Sequence, residues 1–188
     1  MNIKKYKTIS GWGTFRKVFL EQVAKLTSSP GHFVEIGTYH GKSAALMGML
    51  IRNSGRDIKF DTIDMFTPEG DPTTDIQHDT EQIARTNLST LKKYVNIIKC
   101  DSVSAAEQYA DSSLDFVFID ACHEYDNVKA DLNAWYPKVK PSGTMAGHDI
   151  DRPGVKTAVT EFCCKNNLQV KIDKAIICWS CWKNHNSI

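Results

Sequence analysis

Apolar positions along the chain come in short runs, separated by stretches in which they recur at helical spacing. Phe15, Val18, Phe19, Val23 and Leu26 fall on one face, so residues 14–26 are expected to form a packing helix. PGHFVEIG reads as a first strand stopped by glycine. Residues 42–52 are apolar almost all round and read as a helix packed on a sheet. IKFDTID is a second strand; the polar stretch MFTPEGDPTTD follows it, then a helix carrying Ile83, Leu88 and Leu91. VNIIKCD is a third strand, residues 103–110 a short helix, and LDFVFID a fourth strand. Val128, Leu132 and Trp135 mark one face of a helix over 126–136, which Pro137 stops. GTMAGHD is a fifth strand, and Val155, Ala158, Val159 and Phe162 mark another helix. QVKI and AIICWSCW close the chain as two strands near enough in sequence to pair antiparallel.

Strands separated by helices predict an α/β fold: a doubly wound, mostly parallel seven-stranded sheet with helices on both faces, Rossmann-like, its last strand antiparallel. A length of 188 residues fits one domain, with 1–30 as an N-terminal helical segment covering the site and 31–188 as the body. Lys plus Arg is 23 against 22 Asp plus Glu, a net charge of +1 that offers no general footprint for nucleic acid or an acidic membrane. MNIKKYKTIS lacks the apolar core of a signal peptide and no run is long enough to span a bilayer, so a cytoplasmic location without a membrane partner is expected. The cysteines of CWSC, 178–181, lie in an apolar run and not at a helix N-terminus, so they read as packing residues, not as a redox pair or zinc site.

Ligands of doubly wound sheets bind at the carboxyl ends of the strands, which makes the strand ends the residues to read. The first strand ends EIGTYHGKS, where Gly37 and Gly41 let the backbone turn and approach a ligand. The second ends at Asp64, a carboxylate able to accept from both hydroxyls of a ribose. The third ends at Asp101–Ser102, the fourth at Asp120, the fifth at His148–Asp149. Asp and Ser also cap helices; polar groups at five successive strand ends point to a site. Three positions past Asp120, in VFIDACHEYD, stands His123, an imidazole placed to take a proton. HGKS invites a phosphate-loop reading, but the Gly37–Gly41 spacing is one residue short of GxxxxGKS and Glu35 would lie close to the phosphates. A P-loop-like nucleotide-binding phosphotransferase or ATPase stays as the alternative.

FVEIGTYHGKSA, FDTIDMF…GD, CDS, FVFIDACHEYDNVKADLNAWYPKVKPSGTMAGHDID and PGVKTAVTEF together resemble the class I S-adenosylmethionine-dependent methyltransferases over residues 31–182. The branch most resembled is that of small-molecule O-methyltransferases, which includes the macrolide-sugar enzymes. The resemblance implies S-adenosylmethionine as cofactor. Glu35, Gly37 and Gly41 would then form the loop around its methionine part and ribose, with Tyr39 and Ser43 nearby. Asp64 would take the ribose hydroxyls, Met65 would lie against adenine, Asp101 and Ser102 would meet the adenine edges, and Asp120 would sit beside the transferred methyl. It implies a catalytic group of His123, Asp120 and His148, with His123 the base, and a divalent metal, Mg or Mn, at Asp120, His148 and Asp149. In that branch two carboxylates end the fifth strand. His148–Asp149 departs from this and suits a borderline metal better than magnesium. The expected acceptor is a small molecule methylated on a hydroxyl oxygen, though the same fold also serves amines. The N-terminal segment and the 66–80 and 150–154 loops should wall its pocket, with a second subunit if the chain forms a homo-oligomer. A non-catalytic S-adenosylmethionine-binding partner subunit is the further alternative.

Overall fold

The computed structural model describes residues 1–27, 29–66 and 79–182. In chain order the elements are α1 (Ile3–Thr8), α2 (Arg16–Lys25), β1 (Gly31–Ile36), α3 (Lys42–Ser54), β2 (Ile58–Asp64), α4 (Thr80–Leu88), β3 (Asn96–Lys99), α5 (Ser102–Ala106), β4 (Leu114–Ile119), α6 (Tyr125–Trp135), β5 (Val139–Gly147), α7 (Pro153–Lys165), β6 (Gln169–Asp173) and β7 (Cys178–Trp182). They form one seven-stranded sheet in the order β3-β2-β1-β4-β5-β7-β6. β1 to β5 run parallel, and β7 is antiparallel to both β5 and β6. The architecture is the expected one. The antiparallel strand, last in the chain, is nevertheless not the edge strand: it inserts between β5 and β6.

Alternate residues of the central strands face opposite layers, as the two-residue period requires. Val34, Ile36, Ile63, Val117 and Ile119 pack with Val128, Leu132 and Trp135 of α6 and Val155, Val159 and Phe162 of α7. Phe33, Phe60, Phe116 and Phe118 pack with Phe19 and Val23 of α2 and Ala45, Met47 and Ile51 of α3. Phe15 and Phe19 are fully buried, with ring centroids 5.1 and 4.9 Å from that of Phe118. Burying such a side chain is worth about 1.5–3 kcal/mol, so the N-terminal segment is anchored in the same core as the sheet.

Two local differences from the sequence pattern have simple causes. α1 carries no apolar stripe and was not expected; the Asn2 side chain starts it by accepting from the Lys5 amide at 3.0 Å. β5 begins at Val139, before GTMAGHD, because a register shift between Leu114 and Phe116 lets the turn-like residues Pro141–Ser142 lie within the strand. In mid β2, fully buried Asp61 binds His32 Nε2 at 2.8 Å, the Asn96 amide at 2.9 Å and the Tyr109 hydroxyl at 3.0 Å. Burial works against its charge, but these donors and Lys59 hold its pKa down to about 2. No helix among the described residues is long and apolar enough to cross a membrane.

Candidate functional site

Successive strands fan out to either side of β1, so the chain reverses direction across the sheet between β1 and β4. A cavity of about 740 Å³ opens there, at the carboxyl ends of the strands, large enough for a cofactor and part of an acceptor. Its inner edge depends on Gly37, whose φ is +96°. A Cβ on Gly37 would lie 2.0 Å from the Asp120 carbonyl oxygen, so only glycine lets the ends of β1 and β4 meet. The loop then passes through Tyr39 and Gly41, both at positive φ, into α3.

Asp64 shapes this loop. Its Oδ2 accepts from the Thr38 and Tyr39 amides at 2.8 and 2.9 Å, and its Oδ1 from the Phe66 amide at 2.8 Å. Three of about four acceptor positions on the carboxylate are thus in use. Glu35 lies beneath the loop, fully buried. Its Oε2 accepts from the Thr62 hydroxyl at 2.7 Å, while Oε1 has no partner at hydrogen-bond distance among the described residues. Burial pushes the Glu35 pKa up from 4.5 to about 8, against the Thr62 and Ser43 hydroxyls. The folded chain therefore holds a proton that the unfolded chain has lost. The stability this group contributes is present below pH 4.5 and is lost as pH rises through about 8. Glu35→Gln should remove that part of the slope: urea midpoints taken from pH 5 to pH 8 are expected to fall less steeply for the variant than for the parent, the remaining fall coming from groups such as His148.

Four polar side chains meet on the cavity floor. Asp149 Oδ2 binds His123 Nε2 at 2.8 Å and His148 Nδ1 at 2.9 Å, and His148 Nδ1 lies 3.6 Å from Asp120 Oδ1. Asp149 sits at φ +55°, a left-handed conformation that aspartate tolerates, just past the end of β5. Burial alone would raise its pKa; its bonds to His123 and His148 hold it well below the usual carboxylate range. Burial raises the Asp120 pKa, with His148 in opposition. For His148 burial favours the neutral ring, yet the two carboxylates lift its pKa to about 9. Both carboxylates lie within 3.6 Å of Nδ1. Nε2 is buried beside the Phe15 ring, without a hydrogen-bond partner among the described residues.

A protein family described as a methyltransferase domain matches residues 34–150, more than half of the chain. The chain belongs to this methyltransferase family. The structure is similar to that of the O-methyltransferase NovP, with a TM-score of 0.70 at 18% identity, covering 91% of this chain and 79% of that one. It is also similar to an O-methyltransferase from Bacillus cereus solved in complex with SAH, with a TM-score of 0.67 at 15% identity, covering 97% and 92% of the two chains. Likenesses at this level of identity establish the fold, the Rossmann-like sheet of class I S-adenosylmethionine-dependent methyltransferases. A curated relative, the uncharacterized protein y4gI of Sinorhizobium fredii, is 26% identical over 125 residues, which is 65% of this chain and 13% of that protein. The methyltransferase chain therefore spans 13% of the length of that relative.

In this chain, the residues singled out from sequence separate into two groups. Gly37, Tyr39, Ser43, Asp64, Met65, Asp101, Ser102, Asp120, His123, His148 and Asp149 line the cavity; Glu35 and Gly41 lie behind its wall. Among the described residues, Asp120, His123 and Asp149 present ligand atoms within 4.8 Å of one another. The resemblance implied His148 with Asp120 and Asp149; the His148 Nδ1 is turned to Asp149 and its Nε2 is buried. Asp101 caps α5, its Oδ1 accepting from the Ser104 amide and hydroxyl, each at 2.9 Å. Trp12, Lys42, Asp131 and Arg152 also line the cavity and were not picked out from sequence. Of these, Trp12 carried a signal, a tryptophan between two glycines, and it is 62% exposed at the cavity wall. Asp71 and most of the 66–80 loop lie outside the described residues. Cys178 and Cys181 are buried in β7, Cys181 against Cys163 of α7, and burial pushes the Cys178 thiol up to about 12, as suits packing residues.

Proposed function

We propose that this methyltransferase moves a methyl group from S-adenosylmethionine to a hydroxyl oxygen of a small molecule, with His123 as general base. The observation that supports this reading most is the His123–Asp149 pair beside Asp120 on the floor of a strand-end cavity. When bound, S-adenosylmethionine supplies an electrophilic methyl on a sulfonium. The cavity fits it: the wall offers exposed apolar faces at Met65 and Val103 and carboxylates at Asp64, Asp120 and Asp131. Gly37, Tyr39 and Ser43 would hold the methionine part, and the unused acceptor position of Asp64 the ribose. Met65, Asp101 and Ser102 would border the adenine, and Asp120 the sulfonium. Glu35 and Gly41 act from behind by setting the loop.

Asp149 accepts the Nε2–H of His123, which leaves the lone pair of the ring on Nδ1. That nitrogen takes the proton of the acceptor hydroxyl as its oxygen attacks. His148 holds Asp149 from the other side and so keeps the His123 ring in one tautomer. Ser10, Gly11 and Trp12 wall the remaining space and would keep the acceptor oxygen in line with the methyl.

The test is transfer of label from methyl-tritiated S-adenosylmethionine to a panel of hydroxyl and amine acceptors, with S-adenosylhomocysteine and ATP compared by calorimetry. Label on a hydroxyl compound and binding of S-adenosylhomocysteine but not ATP are expected. Tight ATP binding with no response to the adenosyl ligand would sink the proposal in favour of the phosphate-loop reading. A second reading has its own support in the close approach of Asp120, His123 and Asp149. Two carboxylates and an imidazole suit manganese, iron or zinc better than magnesium. These three residues would then hold the ion, which supplies stabilisation of a developing alkoxide, and His123 would be a ligand instead of the base.

A further inference from the structure

We propose that Asp131, in the middle of α6, recognises the exocyclic amine of the cofactor's adenine; this rests on S-adenosylmethionine being the cofactor. Asp131 is only 5% exposed, yet it lines the cavity. Among the described residues its side-chain partner is the Ser102 hydroxyl. That hydroxyl accepts from the Trp135 indole N–H at 2.9 Å, so its single proton is free to go to Asp131. Most of the acceptor capacity of the carboxylate is left over. No Lys, Arg or His pairs with it among the described residues. Burial, with Asp101 nearby, lifts its pKa to about 6. A buried carboxylate with unused acceptor positions and no cation calls for a donor from whatever fills the cavity.

The surroundings suit a flat base with an N–H on its edge. Met65 and Val103 are 45% and 41% exposed, apolar side chains on the same cavity wall that can cover a ring face. Asn127, four residues before Asp131, shares its face of α6; the neighbouring Ala130 also lines the cavity, and its small side chain leaves room for a ring edge. Asp101, which the sequence pattern put forward for this edge, is engaged as the cap of α5. The adenine amine is a neutral donor. Asp131 accepts its proton without needing a counter-ion, and Ser102 orients the carboxylate.

The test compares S-adenosylhomocysteine with its 6-deamino purine analogue, which lacks only the amine. Affinities are measured by calorimetry at pH 7.5 for the parent chain and Asp131→Ala. The parent is expected to prefer the adenine form by about 10–100-fold, the range for a hydrogen bond to a charged group. In Asp131→Ala the preference should shrink to within about threefold. If Asp131→Ala does not fold, Asp131→Leu, close in volume and without an acceptor, takes its place. Equal binding of the two ligands to the parent chain, or an undiminished preference in the Asp131 variant, overturns the inference and leaves the methyltransferase reading intact. Binding of neither ligand to the parent overturns both.

Discussion

Replacing His123 by alanine is expected to lower kcat for methyl transfer by about 10²–10⁴-fold, the usual contribution of a positioned base, while affinity for S-adenosylhomocysteine stays within about twofold. On the proposed reading the two effects separate because His123 would touch the reacting end of the cavity, whereas the glycine loop and the α5–α6 wall would make the rest of the cofactor site. The ring is held at Nε2 by Asp149 at 2.8 Å, so the substitution removes one imidazole and leaves Asp149 paired to His148. A manganese titration of both proteins distinguishes the two roles open to the ring. A rate loss with unchanged metal response marks the base; a rate loss together with lost manganese binding marks a ligand. A kcat within threefold of the parent, with cofactor binding intact, would contradict both and favour a non-catalytic binding subunit.

Gly37→Ala should destabilise the fold by about 3 kcal/mol or more, among the larger effects a single methyl can have. The new Cβ would meet the Asp120 carbonyl oxygen at 2.0 Å and its carbon at 2.6 Å, and φ is +96°. Both obstacles are backbone, so no rotamer change relieves them. Relief requires separating β1 from β4, where Ile36 pairs with Ile119. Gly55→Ala is the internal control: φ is +66°, but nothing lies within 4 Å of its Cβ. It should cost only the left-handed penalty, about 1–2 kcal/mol. By thermal melts the Gly37 variant is expected to lose about 6–12 °C or more and the control about 2–8 °C. Equal losses would mean that the strand ends can part freely and that the inner edge of the cavity is not set by Gly37.

Much of the architecture was legible because burial of a sheet is a local pattern. The runs HFVEI, IKFDTI and LDFVFI are apolar since both faces of those strands are covered, and their helices repeat at the matching period. The polar ends of these runs marked the cavity edge, since a carboxylate such as Asp120 that ends a buried strand must face something polar. Asp131 was not legible for the same reason reversed. It lies between Val128, Leu132 and Trp135 on a helix whose period reads as packing, and only the tertiary structure puts it at a cavity wall.

By itself the sequence determined the order of the strands and of the helices after α1, the parallel α/β architecture and the polar strand ends, because each rests on residues a few positions apart. The tertiary structure decided the rest. It placed β7 between β5 and β6, turned Asp64 onto the glycine-loop amides, put Glu35 behind the wall, and paired His123 with Asp149, 26 residues away. Each of these depends on which of several polar partners a side chain meets once distant segments are brought together. Spacing along the chain carries no such information, because hydrogen-bond choice is made by geometry at contact distance.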